Sequence, residues 1–274
     1  MVSIELYNND ENNEWLIHQF EAYRFEGSSL SDKFIPRPYI SIIFHFKDRA
    51  LISGESSIKL EPFFVAPIIP QAIMLEFQGK MDTLAVICKA TVFSRLFNID
   101  MSPVLKRSIN LPEHIFYPLW EAMANLNSTP ERIAFFTEFI NSIQPMPYSP
   151  DAVDTLYDKI IEKGISTSLK EIILECSASK STLLRKFVKR TGVSPKTLAR
   201  IVRLDYLWTK IRDQNTVNYQ ELVFHGNYFD QSHFINDFSA IIGETPGYFF
   251  NRNLKTVKLF SGIPSQENEP RKNK

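Results

Sequence analysis

The feature that most constrains this chain is an internal repeat, in which residues of the C-terminal part match residues 51 positions later without a gap. Ser179 pairs with Asp230, and both residue types cap helix N-termini. The remaining pairs are apolar residues, a glycine, and a Ser or Thr followed by proline. They are Ile172 with Val223, Leu183 with Phe234, Phe187 with Phe238, Gly192 with Gly243, and Ser194-Pro195 with Thr245-Pro246. Because chance must match every position at one offset, the repeat is stronger evidence than a single motif.

Each copy of the repeat predicts a helix-turn-helix. A short helix (residues 169–175 or 220–224) is followed by a tight turn and a capped second helix, whose two repeated apolar residues lie on one face. The opposite face stays exposed, and such a helix is commonly placed in the major groove of DNA. An α-solenoid for protein contacts is the alternative, but such arrays need about three copies.

Residues 195–212 join the two copies and predict one long amphipathic helix. Its apolar residues recur every three or four positions: Leu198, Ile201, Leu204, Trp208 and Ile211. Upstream, Asp151 is placed to cap a helix, and Ser168 with Glu171 form a capping-box pattern. The C-terminal part of the chain is therefore predicted to be wholly helical.

Residues 151–252 resemble the C-terminal DNA-binding domain of the AraC/XylS family of bacterial transcription regulators. The resemblance is carried by Ser179-x3-Leu183-x-Arg185-x-Phe187-x4-Gly192-x-Ser194-Pro195, by Arg203-Leu204, by the sequence FDQSHF at 229–234, and by Phe238-x4-Gly243-x-Thr245-Pro246. The family implies seven helices in two subdomains that a long helix connects. It also implies that two recognition helices enter successive major grooves on one side of the duplex.

The resemblance assigns candidate DNA contacts to both recognition helices. The first, near 179–190, presents Lys180, Ser181, Leu184 and Arg185, and the second, near 230–240, presents Gln231, Ser232, Ile235 and Asn236. The planar guanidinium of Arg185 can donate two hydrogen bonds to guanine O6 and N7, and a contact with a phosphate is an equal alternative. Gln231 can pair with adenine or cap its helix, while Leu184 and Ile235 can meet thymine methyls or belong to the core. Phosphate contacts are expected from Lys180, Lys186, Lys189 and Arg190.

Charge is divided unevenly between the two copies. Residues 180–212 hold ten Lys or Arg and one acid, whereas residues 213–251 hold no Lys or Arg and five acids. Since phosphate neutralisation supplies most non-specific affinity, we expect the first helix-turn-helix to dominate DNA affinity. Asn236 stands where related regulators commonly have Arg. Asn227 stands where they often have Gly, and asparagine tolerates the left-handed backbone of such a turn.

The first 143 residues predict a different architecture. Residues 39–46, 72–77 and 83–90 are short, aromatic and β-branched, and residues 39–46 are apolar at nearly every position, which predicts burial on both faces. From Phe93 onward, the apolar residues recur at helical spacing. Residues 144–150 contain three prolines. This part more loosely resembles the cupin-like sensor domain found on many such regulators.

The predicted fold class is therefore α+β: an N-terminal β-rich cupin-like domain with following helices, and a C-terminal all-α double helix-turn-helix domain. Residues 1–143 form the sensor or dimerisation domain, β-rich to about 92 and then helical. Residues 144–150 are the linker, residues 151–258 the DNA-binding domain, and residues 259–274 a polar tail that we expect to fray.

Other functions leave little trace in the sequence, and an SxxK match at Ser177–Lys180 falls inside the first helix-turn-helix. None of the nine glycines is spaced as GxG, and no P-loop, GxSxG or HExxH occurs. The five histidines lack the close spacing of a metal-binding cupin, so we expect no catalytic residue, metal or cofactor, and no enzyme. His45 is either a satisfied core histidine or part of an effector pocket; the sequence identifies no other effector-binding residue.

The two cysteines exclude a disulfide framework, and the chain shows no secretory signal or membrane span. We therefore expect a cytoplasmic, DNA-binding transcription regulator. Double-stranded DNA is the expected partner, with a small-molecule effector, RNA polymerase and a homodimer left open. The alternatives are a protein-interaction module with a degenerate DNA-binding domain, which the uncharged second repeat suggests, and an enzyme built on the β-rich domain.

Overall fold

The computed structural model describes residues 2–54, 57–102, 108–143, 147–176, 179–211 and 217–262. Its N-terminal part is a seven-stranded antiparallel sheet ordered β1-β2-β7-β3-β6, with β4 paired to both β7 and β5. The strands are β1 (Val2–Asn8), β2 (Ile17–Phe34), β3 (Ile40–His45), β4 (Leu51–Ser53), β5 (Ile58–Lys59), β6 (Phe63–Ala66) and β7 (Ile73–Cys88).

The centre of the sheet is the long β2–β7 pair. Residues 72–77 and 83–90, predicted as separate strands, are largely joined in β7. The chain continues through Gly79, whose φ of +83° glycine adopts readily, and the β2–β7 register shifts beside it, between Gly27 and Ser29. The irregularity bends the strand pair instead of ending it. The polar second part of β2 gave no strand signal in the sequence.

The sheet is buried on both faces at β3. Ile42 and Phe44 pack toward the helices that follow the sheet, while Ile43 and His45 face a cavity on the other side. The predicted double burial of residues 39–46 is confirmed. The helices on the first face are α1 (Ala90–Phe97), α2 (Glu113–Ala124) and α3 (Thr129–Ile143).

The C-terminal part is helical, as predicted. Its helices are α4 (Ala152–Lys163), α5 (Leu169–Leu174), α6 (Lys180–Thr191), α7 (Pro195–Ile211), α8 (Tyr219–His225), α9 (Gln231–Ile242), α10 (Pro246–Phe250) and α11 (Lys255–Phe260). Asp151 caps α4, and Ser168 with Glu171 form the predicted capping box on α5. In the part of the chain that the structure describes, no helix is long and apolar enough to cross a membrane.

The connecting helix α7 divides its apolar face between two cores. Leu198 and Ile201 pack with α5 and α6, whereas Leu204, Trp208 and Ile211 pack with α8, α9 and α10. The first of these cores is continuous with the helical side of the sheet through Phe93 of α1. The first subdomain therefore shares its hydrophobic interior with the N-terminal domain.

Two segments differ from their predicted boundaries. Leu259 and Phe260, assigned to a polar tail, are 6% and 3% exposed because α11 returns to the sheet and packs on β2. Residues 259–274 are mostly polar, so the composition of this segment did not reveal that its first two side chains are buried. Residues 263–274 lie outside the described part. In the linker, of which residues 144–146 are also not described, Tyr148 stacks on Trp15 at 5.1 Å and its hydroxyl donates to Asp154.

Candidate nucleic-acid interface

Helix α6 combines a buried apolar face with an exposed basic face. Leu183 and Phe187 lie in the first core, where they pack with Ile172 of α5. The exposed side chains include five of the predicted contacts: Lys180, Ser181, Arg185, Lys186 and Lys189. Leu184 is half-buried, and Thr182, which the sequence prediction omitted, is exposed on the same helix. The spacing of Ser181, Arg185 and Lys189 places them along one side of α6.

Arg190 departs from its predicted role as a phosphate contact. Its guanidinium donates to both Asp151 carboxylate oxygens and to Asp154, and its side chain is only 16% exposed. Burial alone would raise the pKa of Asp151, but the Arg190 hydrogen bonds, together with backbone N–H groups, hold that pKa at about 2. Arg190 therefore joins α6 to the N-terminus of α4.

Helix α9 has the same packing pattern as α6 without its charge. Phe234 and Phe238 are buried in the second core, and Ile235 is half-buried against it. Gln231, Ser232 and Asn236 are exposed. The N-terminus of α9 is capped by Asp230, whose carboxylate accepts from the His233 amide at 2.7 Å, so Gln231 is not needed as the cap. At the equivalent position on α6, Ser179 makes no side-chain cap bond.

Two acids of the second repeat, Asp237 and Glu244, are engaged within the protein. Asp237 accepts hydrogen bonds from Arg200 of α7 and from the Tyr228 hydroxyl. Burial, and then the neighbouring Asp237, raise the pKa of Tyr228, so the hydroxyl keeps its proton and remains a donor. Glu244 pairs with Lys33 and Arg252. The exposed face of α9 is therefore polar and uncharged.

The turn before α9 contains Asn227 in the left-handed backbone conformation that an asparagine tolerates. Asn227 has φ +51°, in the left-handed region, and its side-chain amide donates to the Ile165 carbonyl at 3.2 Å. The prediction for Asn227 is confirmed, and the same side chain connects the second subdomain to the first. The corresponding turn of the first copy includes residues 177–178, which lie outside the described residues.

The N-terminal domain holds the C-terminal end of α9. Lys33 at the end of β2 donates to the Ile242 carbonyl and pairs with Glu244, both at 2.7 Å. Beside it, Arg252 pairs with Asp32 at 2.8 Å. These four residues, Asp32, Lys33, Glu244 and Arg252, form the charged interdomain contact. A cation at a helix C-terminus also interacts favourably with the helix dipole.

A cavity lies between the sheet and α11. Its volume is about 80 Å³, it opens to solvent, and its lining is mainly apolar. His45 lines it, and Phe260 of α11 forms part of its wall. Of the two readings left open for His45, the cavity position is the one observed, and only half of the ring's hydrogen-bonding capacity is used. Its Nδ1 lies 2.8 Å from Thr83 Oγ1, whereas its buried Nε2 has no partner among the described residues.

Elsewhere in the described ranges, no group of three or more His, Cys, Asp or Glu side chains is arranged to hold a metal ion. Burial raises the pKa of the Cys88 thiol, which lies in the core.

The family model of a helix-turn-helix domain matches residues 174–252. Among solved structures, ToxT from Vibrio cholerae is 12% identical over 85% of this chain and 97% of that chain, with a TM-score of 0.47. ToxT with a bound unsaturated fatty acid gives 12% identity, coverages of 96% and 98%, and a TM-score of 0.46. The AraC-like transcriptional activator CuxR gives 12% identity, coverages of 76% and 87%, and a TM-score of 0.23. No curated protein sequence matches the chain significantly.

The predicted order of the chain is confirmed: a β-rich domain with following helices comes first, and the helix-turn-helix domain comes last. The recognised domain includes both α6 and α9, the helices that carry the candidate contacts.

Proposed function

We propose, from the premise that residues 174–252 form a helix-turn-helix domain of the AraC type, that this protein is a sequence-specific DNA-binding transcription regulator. The single observation that carries the proposal is the pairing of two matched helix-turn-helix units, one of which presents an exposed basic recognition helix. In this proposal α6 and α9 enter successive major grooves, and the N-terminal domain senses an effector.

The basic face of α6 supports its role as the main source of affinity. Lys180, Lys186 and Lys189 are exposed cations that can neutralise phosphates. Arg185 lies among them on the exposed face, with a planar fork suited to guanine. We propose that Arg185 reads a base, Ser181 and Leu184 complete the base-facing surface, and the three lysines position the helix.

The uncharged face of α9 supports a different role. Gln231 and Asn236 can each form a bidentate pair with adenine, and Ser232 can bond to several bases. Ile235, half-buried, retains an apolar edge for a thymine methyl group. In this proposal α9 adds sequence selectivity and little salt-dependent affinity.

The cavity of the N-terminal domain supports effector sensing, since concave, mainly apolar sites with a few polar groups are typical of small-molecule binding. One copy of the chain already carries two recognition helices, so the proposal does not require a homodimer. RNA polymerase remains a further candidate partner of an activator.

The first test is a pull-down of genome fragments by the full-length protein, with sequencing, at two salt concentrations. We expect one recurrent motif that spans two adjacent major grooves and persists at the higher salt. A motif confined to one groove would show that α6 reads alone. Weak, salt-insensitive capture of DNA without a motif would instead favour the protein-interaction module.

The recovered site then allows a comparison of Arg185→Ala with Asn236→Ala in a gel-shift assay. Loss of a bidentate base pair costs about 1–3 kcal/mol, so we expect a roughly 5- to 150-fold weaker complex for Arg185→Ala. Asn236→Ala should lose less. A larger loss from Asn236→Ala would contradict the proposed dominance of α6.

A further inference from the structure

The cavity under α11 contains an unusual polar atom. His45 is 2% exposed, and its ring lies among apolar side chains, close to Phe64 and Phe77. Its Nε2 is buried without a hydrogen-bond partner among the described residues. Leaving a buried polar group unpaired costs about 1–3 kcal/mol, so an unpaired atom on a side chain that lines a cavity indicates a missing partner.

The hydrogen bond on the other side of the ring determines what that partner must be. If the Thr83 hydroxyl donates to Nδ1, the only unfilled group of the pair is the Nε2–H donor. If Nδ1–H donates instead, both the Thr83 O–H and Nε2 lack a partner. The first arrangement leaves fewer groups unpaired, so Nε2 carries a hydrogen that has no acceptor, on a side chain that belongs to the cavity lining.

The protonated imidazolium is disfavoured at this site. Burial, and then the charge of nearby Arg49, lower the pKa of His45 to about 3. The ring is therefore neutral at physiological pH and offers one hydrogen without a positive charge. A neutral acceptor suits it better than an anion.

The charged residues of the cavity lining are paired with each other. Arg37 is the one cation among the described lining residues, and both of its terminal nitrogens donate to Glu21, at 2.8 and 3.0 Å. Glu21 is fully buried and also accepts from Tyr23 and Gln19. A ligand carboxylate would have to displace Glu21 from Arg37 and would leave a buried carboxylate behind, which is costly.

We propose that this cavity binds an uncharged, mainly apolar molecule with one carbonyl group, whose oxygen accepts a hydrogen bond from His45 Nε2. The inference deepens the proposed sensor role by naming a ligand class and the residue that recognises it. The ligand's apolar part lies against Ile43, Ile52, Phe77 and Phe260, which belong to the cavity lining. Binding is a reversible, non-covalent step.

Three probes of nearly equal shape test the proposal on the full-length protein. Acetophenone carries the neutral carbonyl, α-methylstyrene replaces the oxygen with a CH₂ group, and benzoate replaces the methyl ketone with an anion. We expect acetophenone to bind at least fivefold more tightly than both others, measured by titration calorimetry.

Two variants separate the hydrogen bond from the fold. His45→Phe keeps a ring but lacks the donor, and should bind acetophenone and α-methylstyrene equally. His45→Gln retains an N–H near the Nε2 position and should restore part of the preference. On the wild-type protein, the ¹⁵N resonance of His45 Nε2 should shift with acetophenone and not with α-methylstyrene, a readout that needs no variant to fold.

Equal binding of acetophenone and α-methylstyrene to the wild type, tighter binding of benzoate, or binding of none of the three would each overturn the proposal. These measurements involve no DNA. A failed ligand preference with a recovered DNA motif would therefore reject the ligand class alone, whereas a confirmed preference without any DNA motif would reject the proposed regulator function.

Discussion

At the residue scale, neighbouring cations of α6 have different roles that the sequence does not distinguish. Lys189 and Arg190 are both basic and both follow Phe187 in one helix, yet Lys189 is exposed while Arg190 is bound to Asp151 and Asp154. The difference arises because each residue of an α-helix is rotated by about 100° from its neighbour about the helix axis. The position of α4 relative to α6 determines which of the two cations forms ion pairs, and that position is a tertiary feature.

This difference predicts separate effects for two alanine variants. Arg190→Ala should lower the free energy of unfolding by about 1–3 kcal/mol, because it leaves the nearly buried Asp154 carboxylate with fewer donors. Lys189→Ala should leave stability within about 0.5 kcal/mol but lower the salt slope of DNA binding by about 0.9. Urea unfolding and binding titrations at several salt concentrations measure the two effects. The reverse pattern would mean that Arg190 contacts phosphate.

A second residue-scale prediction concerns His45 and pH. Its pKa is about 3 in the folded protein, against about 6.5 in an unfolded chain, so the unfolded state binds more protons between these values. Stability should therefore fall as pH drops below 6.5, and this group contributes at most about 2 kcal/mol of that loss by pH 5.

Urea unfolding at pH 7 and pH 5 measures that loss. His45→Phe should show a smaller decrease than the wild type, whereas His114→Gln, a change at an exposed histidine of α2, should match the wild type. Equal losses in all three proteins would indicate that other groups control the acid sensitivity.

At the element scale, the repeat predicted the C-terminal helices well because each repeated position has a local physical role. Leu183 and Phe234 are core residues, Gly192 and Gly243 both have positive φ at helix ends, and Asp230 caps α9. The N-terminal strands were less predictable. Residues 72–77 and 83–90 were predicted as separate strands, whereas β7 continues through Gly79, because the pairing of β7 with β2 depends on residues distant in sequence.

The turn at Asn227 gives an element-scale prediction. Its φ of +51° is strained for residues with a Cβ, and asparagine offsets this with its bond to Ile165. Asn227→Ala should lower the free energy of unfolding by about 1–2 kcal/mol, since it keeps the strain and loses the bond. Asn227→Gly should cost less, because glycine adopts this conformation freely.

Thermal unfolding of both variants beside the wild type measures the difference. An alanine variant as stable as the glycine variant would show that the left-handed turn does not constrain this position.

At the scale of the whole molecule, the N-terminal domain holds both helix-turn-helix units. It shares a core with the first and reaches the second through the charged interdomain contact. Sequence reasoning placed the two recognition helices but could not foresee this contact, since Lys33 and Glu244 are 211 positions apart and neither belongs to a motif. The sequence left open a pocket at His45 but could not identify the rest of its lining, which comes from several strands and from α11.

The interdomain contact predicts a local effect of Lys33→Ala. Amide hydrogen exchange in α9 should become roughly tenfold faster, because its C-terminal carbonyl loses a charged donor and Glu244 loses a partner. Exchange in α6 should stay unchanged. Lys80→Ala, which removes an exposed ion pair with Glu26, serves as the matched control and should alter neither helix. Equal acceleration in α6 and α9 would indicate general destabilisation instead.

The packing of α11 on the sheet determines where this chain can be joined to a domain of another protein in a chimera. Leu259 and Phe260 follow the helix-turn-helix units in the chain, yet they complete the interior of the N-terminal domain. A chimera joined at residues 147–150 would carry this apolar helix to a foreign N-terminal domain that has no groove for it, and would leave the native sheet uncovered where α11 packs. An exchange of modules would preserve both halves only with two junctions, one in that segment and one near Asn253, so that α11 stays with the sheet it covers.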